Sequence, residues 1–282
     1  MTGGRARAAV LGIVVLTLPL VACGPQPSGR YEEYAALGDS YTAAPWVPVT
    51  EVASGCLRSS GGYPVQLAAR LHVGVLRNVA CAGARTANGT TPQGHNEPQL
   101  DAVSRSTDLV TVSLGANDER VFGRLTATCA QAAADRSGPD CRQRLSPGGV
   151  DQIRRATERT RGRLAGLLRQ VRARAPHARV VAVGYPALVR PGDHCPDRLP
   201  WRPEDYAYVA SSIEALNAAV RGAAADAGVA YLDVAAASAG HGICDAQPWV
   251  NGVHGDRAAA APLHPFGREQ TAIADLLVRM LT

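Results

Sequence analysis

Two hydrophobic periods alternate along the chain. Apolar runs at Tyr34 to Leu37, within Val73 to Ala80, and at Asp108 to Leu114, Val180 to Val183 and Val229 to Val234 predict short, buried strands. Between them, apolar positions recur at helical spacing. Val65, Leu67, Ala68 and Leu71 mark a helix over Tyr63 to Leu71, and a shorter one is expected around Pro98 to Ser104. Ile153, Leu164, Leu167, Leu168 and Val171 mark a long helix from Val150 to Ala175, followed by Pro203 to Ala227 and a closing helix from Phe266 to Leu281. The stretch after Asn117, with Cys129, Gly138, Pro139 and Cys141, reads as a polar loop. Strand and helix alternate with no internal repeat. That pattern predicts an α/β fold: one three-layer α/β/α sandwich over residues 31–282, with a parallel sheet of about five strands.

The first thirty residues follow neither period. Arg5 and Arg7 precede an apolar stretch from Ala8 to Ala22, too short to span a bilayer, and together they predict an export signal over 1–22. The stretch ends Leu20-Val21-Ala22-Cys23-Gly24, which resembles a bacterial lipobox. In such a signal the cysteine is acylated and becomes the first mature residue. Residues 23–30, with Pro25, Pro27, Ser28 and Gly29, then form a lipidated tether that holds the protein to the outer face of the cytoplasmic membrane. The other reading of the same residues is a plain secretory signal with an incidental cysteine.

Composition changes the picture at two points. The net charge is +5, and Arg5 and Arg7 contribute two of those charges; all 29 basic residues are arginine. No zinc-finger spacing or aromatic RNA-binding motif accompanies them, so nucleic acid is not expected as a partner. The arginines of the long helix read as its solvated faces. Of seven cysteines, Cys23 is set aside for the lipobox. Cys56, Cys81, Cys129, Cys141, Cys195 and Cys244 remain, an even set that points to disulfides in an oxidising compartment. Their connectivity stays open; sequential pairing is the working expectation.

Ligands of an open parallel sheet bind beyond the carboxyl ends of its strands. Ser40 follows the first expected strand, Gly83 the second and Asn117 the third, while His264 stands just before the closing helix. A serine hydroxyl needs a base to take its proton, and the tetrahedral intermediate needs donors at its oxyanion. An imidazole, a glycine N–H and an asparagine amide supply both.

Gly38-Asp39-Ser40-Tyr41, Asn78-Val79-Ala80-Cys81-Ala82-Gly83, Gly115-Ala116-Asn117-Asp118 and His264-Pro265 occur in that order. Alone, each tripeptide or dipeptide is an ordinary turn or helix entrance. In sequence they resemble the four blocks of the SGNH (GDSL) hydrolase family, from Tyr34 to the C-terminus, and the six cysteines resemble its secreted, three-disulfide lipase and esterase branch. The resemblance implies a flavodoxin-like strand order, Ser40 as nucleophile and His264 as base. It also implies an oxyanion hole of the Ser40 and Gly83 N–H groups with the Asn117 amide. The implied activity is hydrolysis of carboxylic or lipid esters through an acyl-enzyme, by a monomer with no metal or organic cofactor.

One position departs from the family. Its members usually carry an aspartate three residues before the histidine; Ala261 stands there, and Asp256 is out of register. A backbone carbonyl in the Ala260 to Pro262 stretch is therefore expected to accept the His264 Nδ1–H, giving a Ser–His dyad. The alternatives are an inactive SGNH-like binding lipoprotein of the cell envelope, or an envelope protein with a chance GDS. His194, His241 and His254 read as loop histidines rather than metal ligands. Trp46, Trp201 and Trp249 fall in rim loops, as an acyl-chain wall or as loop anchors.

Overall fold

Five parallel strands form one sheet in the order β2-β1-β3-β4-β5 in this computed structural model, which describes residues 1–3 and 31–282. The strands are β1 (Glu33–Gly38), β2 (Val75–Asn78), β3 (Leu109–Ser113), β4 (Arg179–Val183) and β5 (Ala230–Leu232). The helices are α1 (Ser40–Ala43), α2 (Tyr63–Arg70), α3 (Val121–Ala134), α4 (Cys141–Leu145), α5 (Gln152–Arg174), α6 (Pro203–Ala227), α7 (Val234–Ala237) and α8 (Gly267–Leu281). The expected export signal and tether, with Cys23, fall on residues 4–30 and lie outside the described residues.

Because strand side chains alternate between faces, the apolar runs divide into two cores. Ala35, Leu37, Val110, Val112, Val180 and Ala182 pack with the buried stripes of α3, α5 and α6. Tyr34, Ala36, Leu109, Val181 and Val183 pack with α2 and α8. The result is the flavodoxin-like, three-layer arrangement. The long helices begin where their sequences signal it. Asp151 caps α5 by accepting from the Ile153 and Arg154 N–H groups at 2.9 and 3.0 Å. Pro203 opens α6, and Gly228 closes it in the left-handed conformation at φ 64°. The exposed arginines of α5 make surface ion pairs, including Arg161–Asp226 and Arg163–Glu119.

Three local expectations are corrected. The stretch after Asn117 is helical rather than a polar loop: α3 buries Val121, Leu125, Cys129 and Ala132 at helical spacing. Intervening Ala, Thr and Gly weakened that stripe in the sequence. The helix expected around Pro98 is a single 3-10 turn, Gln99–Ala102. Gln99 is buried there because its amide exchanges hydrogen bonds with Gly38, at 2.8 and 2.9 Å. The last strand is short because Asp233 caps α7 directly, accepting from the Ala236 N–H at 3.0 Å.

Disulfides join Cys56–Cys81, Cys129–Cys141 and Cys195–Cys244. The first braces the loop after β2, the second links α3 to α4, and the third ties the loop after β4 to that after α7. Among the described residues, no helix is long and apolar enough to cross a membrane.

Candidate active site

The chain leaves β1 toward β2 on one side and later returns to β3 on the other, so the end of β1 is a switch point of the sheet. Gly38 ends that strand. A Cβ there would lie 2.2 Å from Thr42 Oγ1, so only glycine lets the chain turn into α1. Asp39 caps α1, accepting from the Tyr41 N–H at 2.9 Å and from the Tyr185 hydroxyl at 2.6 Å. Burial raises its carboxyl to about 7 against the pull of those two donors. Ser40 is the first residue of α1, 8% exposed, and its hydroxyl has no hydrogen-bond partner among the described residues.

Two further loops are knitted onto this turn. The Cys81 N–H donates to the Gly38 carbonyl at 3.0 Å. Two residues on, Gly83 adopts φ 77°, a left-handed backbone that favours glycine. After β3, Gly115 turns the chain at φ 134°, and Asn117 follows. The Asn117 amide donates to the Ala84 carbonyl at 3.1 Å. Asp118, buried beside it, accepts from the Thr86 N–H and hydroxyl at 2.8 and 2.6 Å. Gly83 and Asn117 are thus held on neighbouring loops at the rim that begins at Ser40.

His264 reaches that rim from the far end of the chain. Its Nδ1 lies 2.8 Å from the Pro262 carbonyl, inside the stretch where the sequence places an orienting acceptor. Its ring centroid is 5.8 Å from that of Tyr41, the residue after Ser40, and the Tyr41 hydroxyl donates to the Leu263 carbonyl at 2.8 Å. Leu263 itself is left-handed at φ 61°. The Ala261 N–H donates to Pro45 at 3.2 Å, and the Asn251 N–H donates to the His264 carbonyl at 2.9 Å. Burial lowers the imidazole below its ordinary value of 6.5, and the Pro262 carbonyl opposes that shift. Asp256 is not at the imidazole: its side chain accepts from the Ala258 N–H at 2.9 Å.

Several supporting residues carried no strong signal in sequence. Tyr41, Asp39 and Asp118 sit inside the motifs, whereas Tyr185, Gln99 and Asn251 are recognisable only once the loops meet. Tyr185 links two blocks, because its hydroxyl also accepts from the Ala116 N–H at 3.2 Å. Among the three tryptophans, Trp201 is buried edge-on to Tyr206 and Trp249 stacks on His241 at 4.8 Å; both anchor loops. Trp46 alone is open, at 39%. No group of three or more His, Cys, Asp or Glu placed to hold a metal occurs among the described residues.

Comparison with known proteins adds independent weight. The sequence profile described as the GDSL-like Lipase/Acylhydrolase family matches residues 36–266. Lipase 2 of Streptomyces coelicolor is 38% identical over 221 residues, covering 76% of this chain and 73% of that protein. A lipase of Streptomyces rimosus is 31% identical over 262 residues, 88% of each. The crystal structure of phospholipase A1 from Streptomyces albidoflavus NA297 superimposes with a TM-score of 0.73 at 30% identity, covering 88% of this chain and 99% of that one. On the profile match and these relatives, the chain belongs to the GDSL-like lipase/acylhydrolase family and is a carboxylic ester hydrolase.

Proposed function

We propose that the protein is an exported esterase acting on lipid or simple carboxylic esters through a Ser40–His264 dyad. The observation that carries the dyad is the 2.8 Å contact of His264 Nδ1 with the Pro262 carbonyl, on a loop docked against Tyr41. A neutral imidazole has one N–H; placing it on Nδ1 leaves Nε2 with its lone pair free to accept a proton. Ser40 Oγ attacks the ester carbonyl as Nε2 takes its proton. The Ser40 and Gly83 N–H groups and the Asn117 amide stabilise the oxyanion. The carbonyl reforms, the alcohol leaves with the proton from His264, and an acyl-Ser40 ester remains. Water then attacks the acyl-enzyme, gives its proton to His264 and releases the carboxylic acid, while Ser40 regains its hydrogen.

Support for lipid esters comes from the relatives, which are lipases and a phospholipase A1. Three disulfides support export. The lipobox reading places Cys23 as an acylated anchor, and mass spectrometry of the mature N-terminus checks it. The catalytic test is turnover of nitrophenyl esters of graded acyl length. Ser40→Ala and His264→Ala are each expected to reduce kcat by on the order of 10³-fold or more, and Asn117→Ala by roughly 10²-fold. Unchanged hydrolysis by Ser40→Ala overturns the assignment.

A further inference from the structure

The segment that follows α1 is built inside out. Residues 46–52 run antiparallel to 58–61, joined by the Thr50–Ser59 bridge, the Glu51 N–H to Arg58 carbonyl bond at 2.8 Å and the Ser60 N–H to Val49 carbonyl bond at 2.9 Å. The Trp46 N–H donates to Thr50 Oγ1 at 2.7 Å, and Thr50 Oγ1 meets Ser59 Oγ at 2.6 Å. The polar groups are therefore consumed within the arm. Val47 alone turns inward, packing with Ala44, Ala260 and Phe266. Trp46, Val49 and Val52 point out, at 39, 71 and 68% exposure. An ordinary solvated arm places its polar side chains outward; three large apolar ones on a hydrogen-bonded arm mark an interaction surface.

Its position and charge narrow the occupant. The arm begins six residues after Ser40, and the Ala261 N–H to Pro45 bond ties it to the His264 loop, so it borders the catalytic rim. Arg268 holds its guanidinium 5.1 Å over the ring of Phe266, which packs with Val47 of the arm, and the exposed Arg257 lies three residues before Ala260, which packs in the same cluster. Neither has a carboxylate partner among the described residues. Of the nearby acids, Glu51 is paired with Arg58 at 3.3 Å, and Asp256 caps its own turn. Exposed apolar side chains on an arm packed against segments whose guanidinium groups lack carboxylate partners match a lipid–water interface with anionic headgroups.

We propose that Trp46, Val49 and Val52, together with Arg257 and Arg268, dock the enzyme on an anionic lipid surface and hold its rim against aggregated substrate. The proposal rests on the esterase reading and extends it to the physical state of the substrate.

The exported chain carrying Cys23→Ser and Ser40→Ala removes acylation and turnover, and its cosedimentation with vesicles is measured. Phosphatidylglycerol vesicles are expected to bind it more tightly than phosphatidylcholine vesicles. Adding Trp46→Ser, Val49→Ser and Val52→Ser is expected to weaken binding at least about tenfold. With Ser40 intact, the same triple substitution is expected to keep kcat/KM on a soluble short-chain nitrophenyl ester within about twofold, which also shows that it folds. Arg257→Gln with Arg268→Gln is expected to remove the preference for phosphatidylglycerol. Failure to bind phosphatidylglycerol vesicles, or equal binding by the triple variant, overturns the proposal. So does self-association through the patch that leaves vesicle binding unchanged. Failure of the wild type on the soluble ester instead overturns the esterase reading, since vesicle binding is measured without turnover.

Discussion

Glu269 provides the sharpest test of how burial around the site sets stability. It lies in the first turn of α8, fully buried; one carboxyl oxygen accepts from the Gln270 amide at 2.6 Å, and Oε1 has no partner. Gln270 also donates to the Tyr41 carbonyl at 2.9 Å and accepts from the Tyr63 N–H at 2.7 Å, so the acid sits directly behind the turn that carries Ser40. Burial raises its carboxyl from 4.5 to about 8. That shift corresponds to on the order of 5 kcal/mol of preference for the neutral form. Because the folded value is the higher one, the folded state holds a proton that the unfolded state has released. Its contribution is fully present below 4.5 and is lost as pH rises toward 8. Glu269→Gln keeps the shape and an acceptor for Gln270 and removes the titration. Denaturant unfolding of both chains from pH 4 to 9 is expected to show near-equal stability at the acid end. The variant then gains with rising pH, by up to about 5 kcal/mol relative to its difference at the acid end, because any cost of its new NH₂ is the same at every pH. A stability difference that stays flat across that range refutes the reasoning.

Three other outcomes follow from the same geometry. The proposed base must be neutral, so kcat/KM on a soluble ester is expected to rise through an acid limb whose midpoint lies below 6.5; a midpoint at or above that value contradicts the burial of His264. Tyr41→Phe leaves the Leu263 carbonyl without its donor, at a cost of about 1–2 kcal/mol in unfolding free energy. If the hydroxyl positions His264, kcat falls several-fold with KM nearly constant, and an unaltered kcat assigns Tyr41 to packing alone. Gly115→Ala places a Cβ 2.9 Å from Thr160 Cγ2 at φ 134°, so calorimetry is expected to show about 1–3 kcal/mol of destabilisation, and fluorophosphonate labelling of Ser40 is expected to slow as the Asn117 loop shifts.

The sheet was legible because every strand of a two-sided parallel sheet is a nearly continuous apolar run, and Leu109 to Ser113 shows this most clearly. Helices were legible where large aliphatic residues form the buried stripe, as in α5. Helix α3 escaped because Cys129 and Ala132 carry half its buried face, and small residues give little contrast between inside and outside. At the candidate site, the residues whose loops meet at one rim are ones that residue type and order single out. What was not readable was how they are held. Tyr185 joins Asp39 to Ala116 across 146 and 69 residues of chain, and no local pattern announces a contact of that length. The tryptophans show the same limit, since residue type does not distinguish the anchors Trp201 and Trp249 from the open Trp46.

Replacing an aspartate by a main-chain carbonyl moves the task of orienting the imidazole from one side chain to a whole loop. A carboxylate stabilises imidazolium by charge and tolerates some angular error; a neutral carbonyl gives less stabilisation and acts only while its backbone is fixed. The loop around His264 carries constraints of that kind at each neighbouring position. Ala261 is bonded to Pro45, Leu263 is held left-handed and receives Tyr41, His264 receives Asn251, and the Asn251 amide also holds Ala260 at 2.8 Å. Tyr41 and Pro45 both follow Ser40 within five residues, so the segment bearing the hydroxyl also fixes the loop bearing the imidazole. On the proposed mechanism this coupling is the reason a dyad suffices: the two groups are referenced to each other through the backbone, and rigidity there replaces the charge that Ala261 cannot supply.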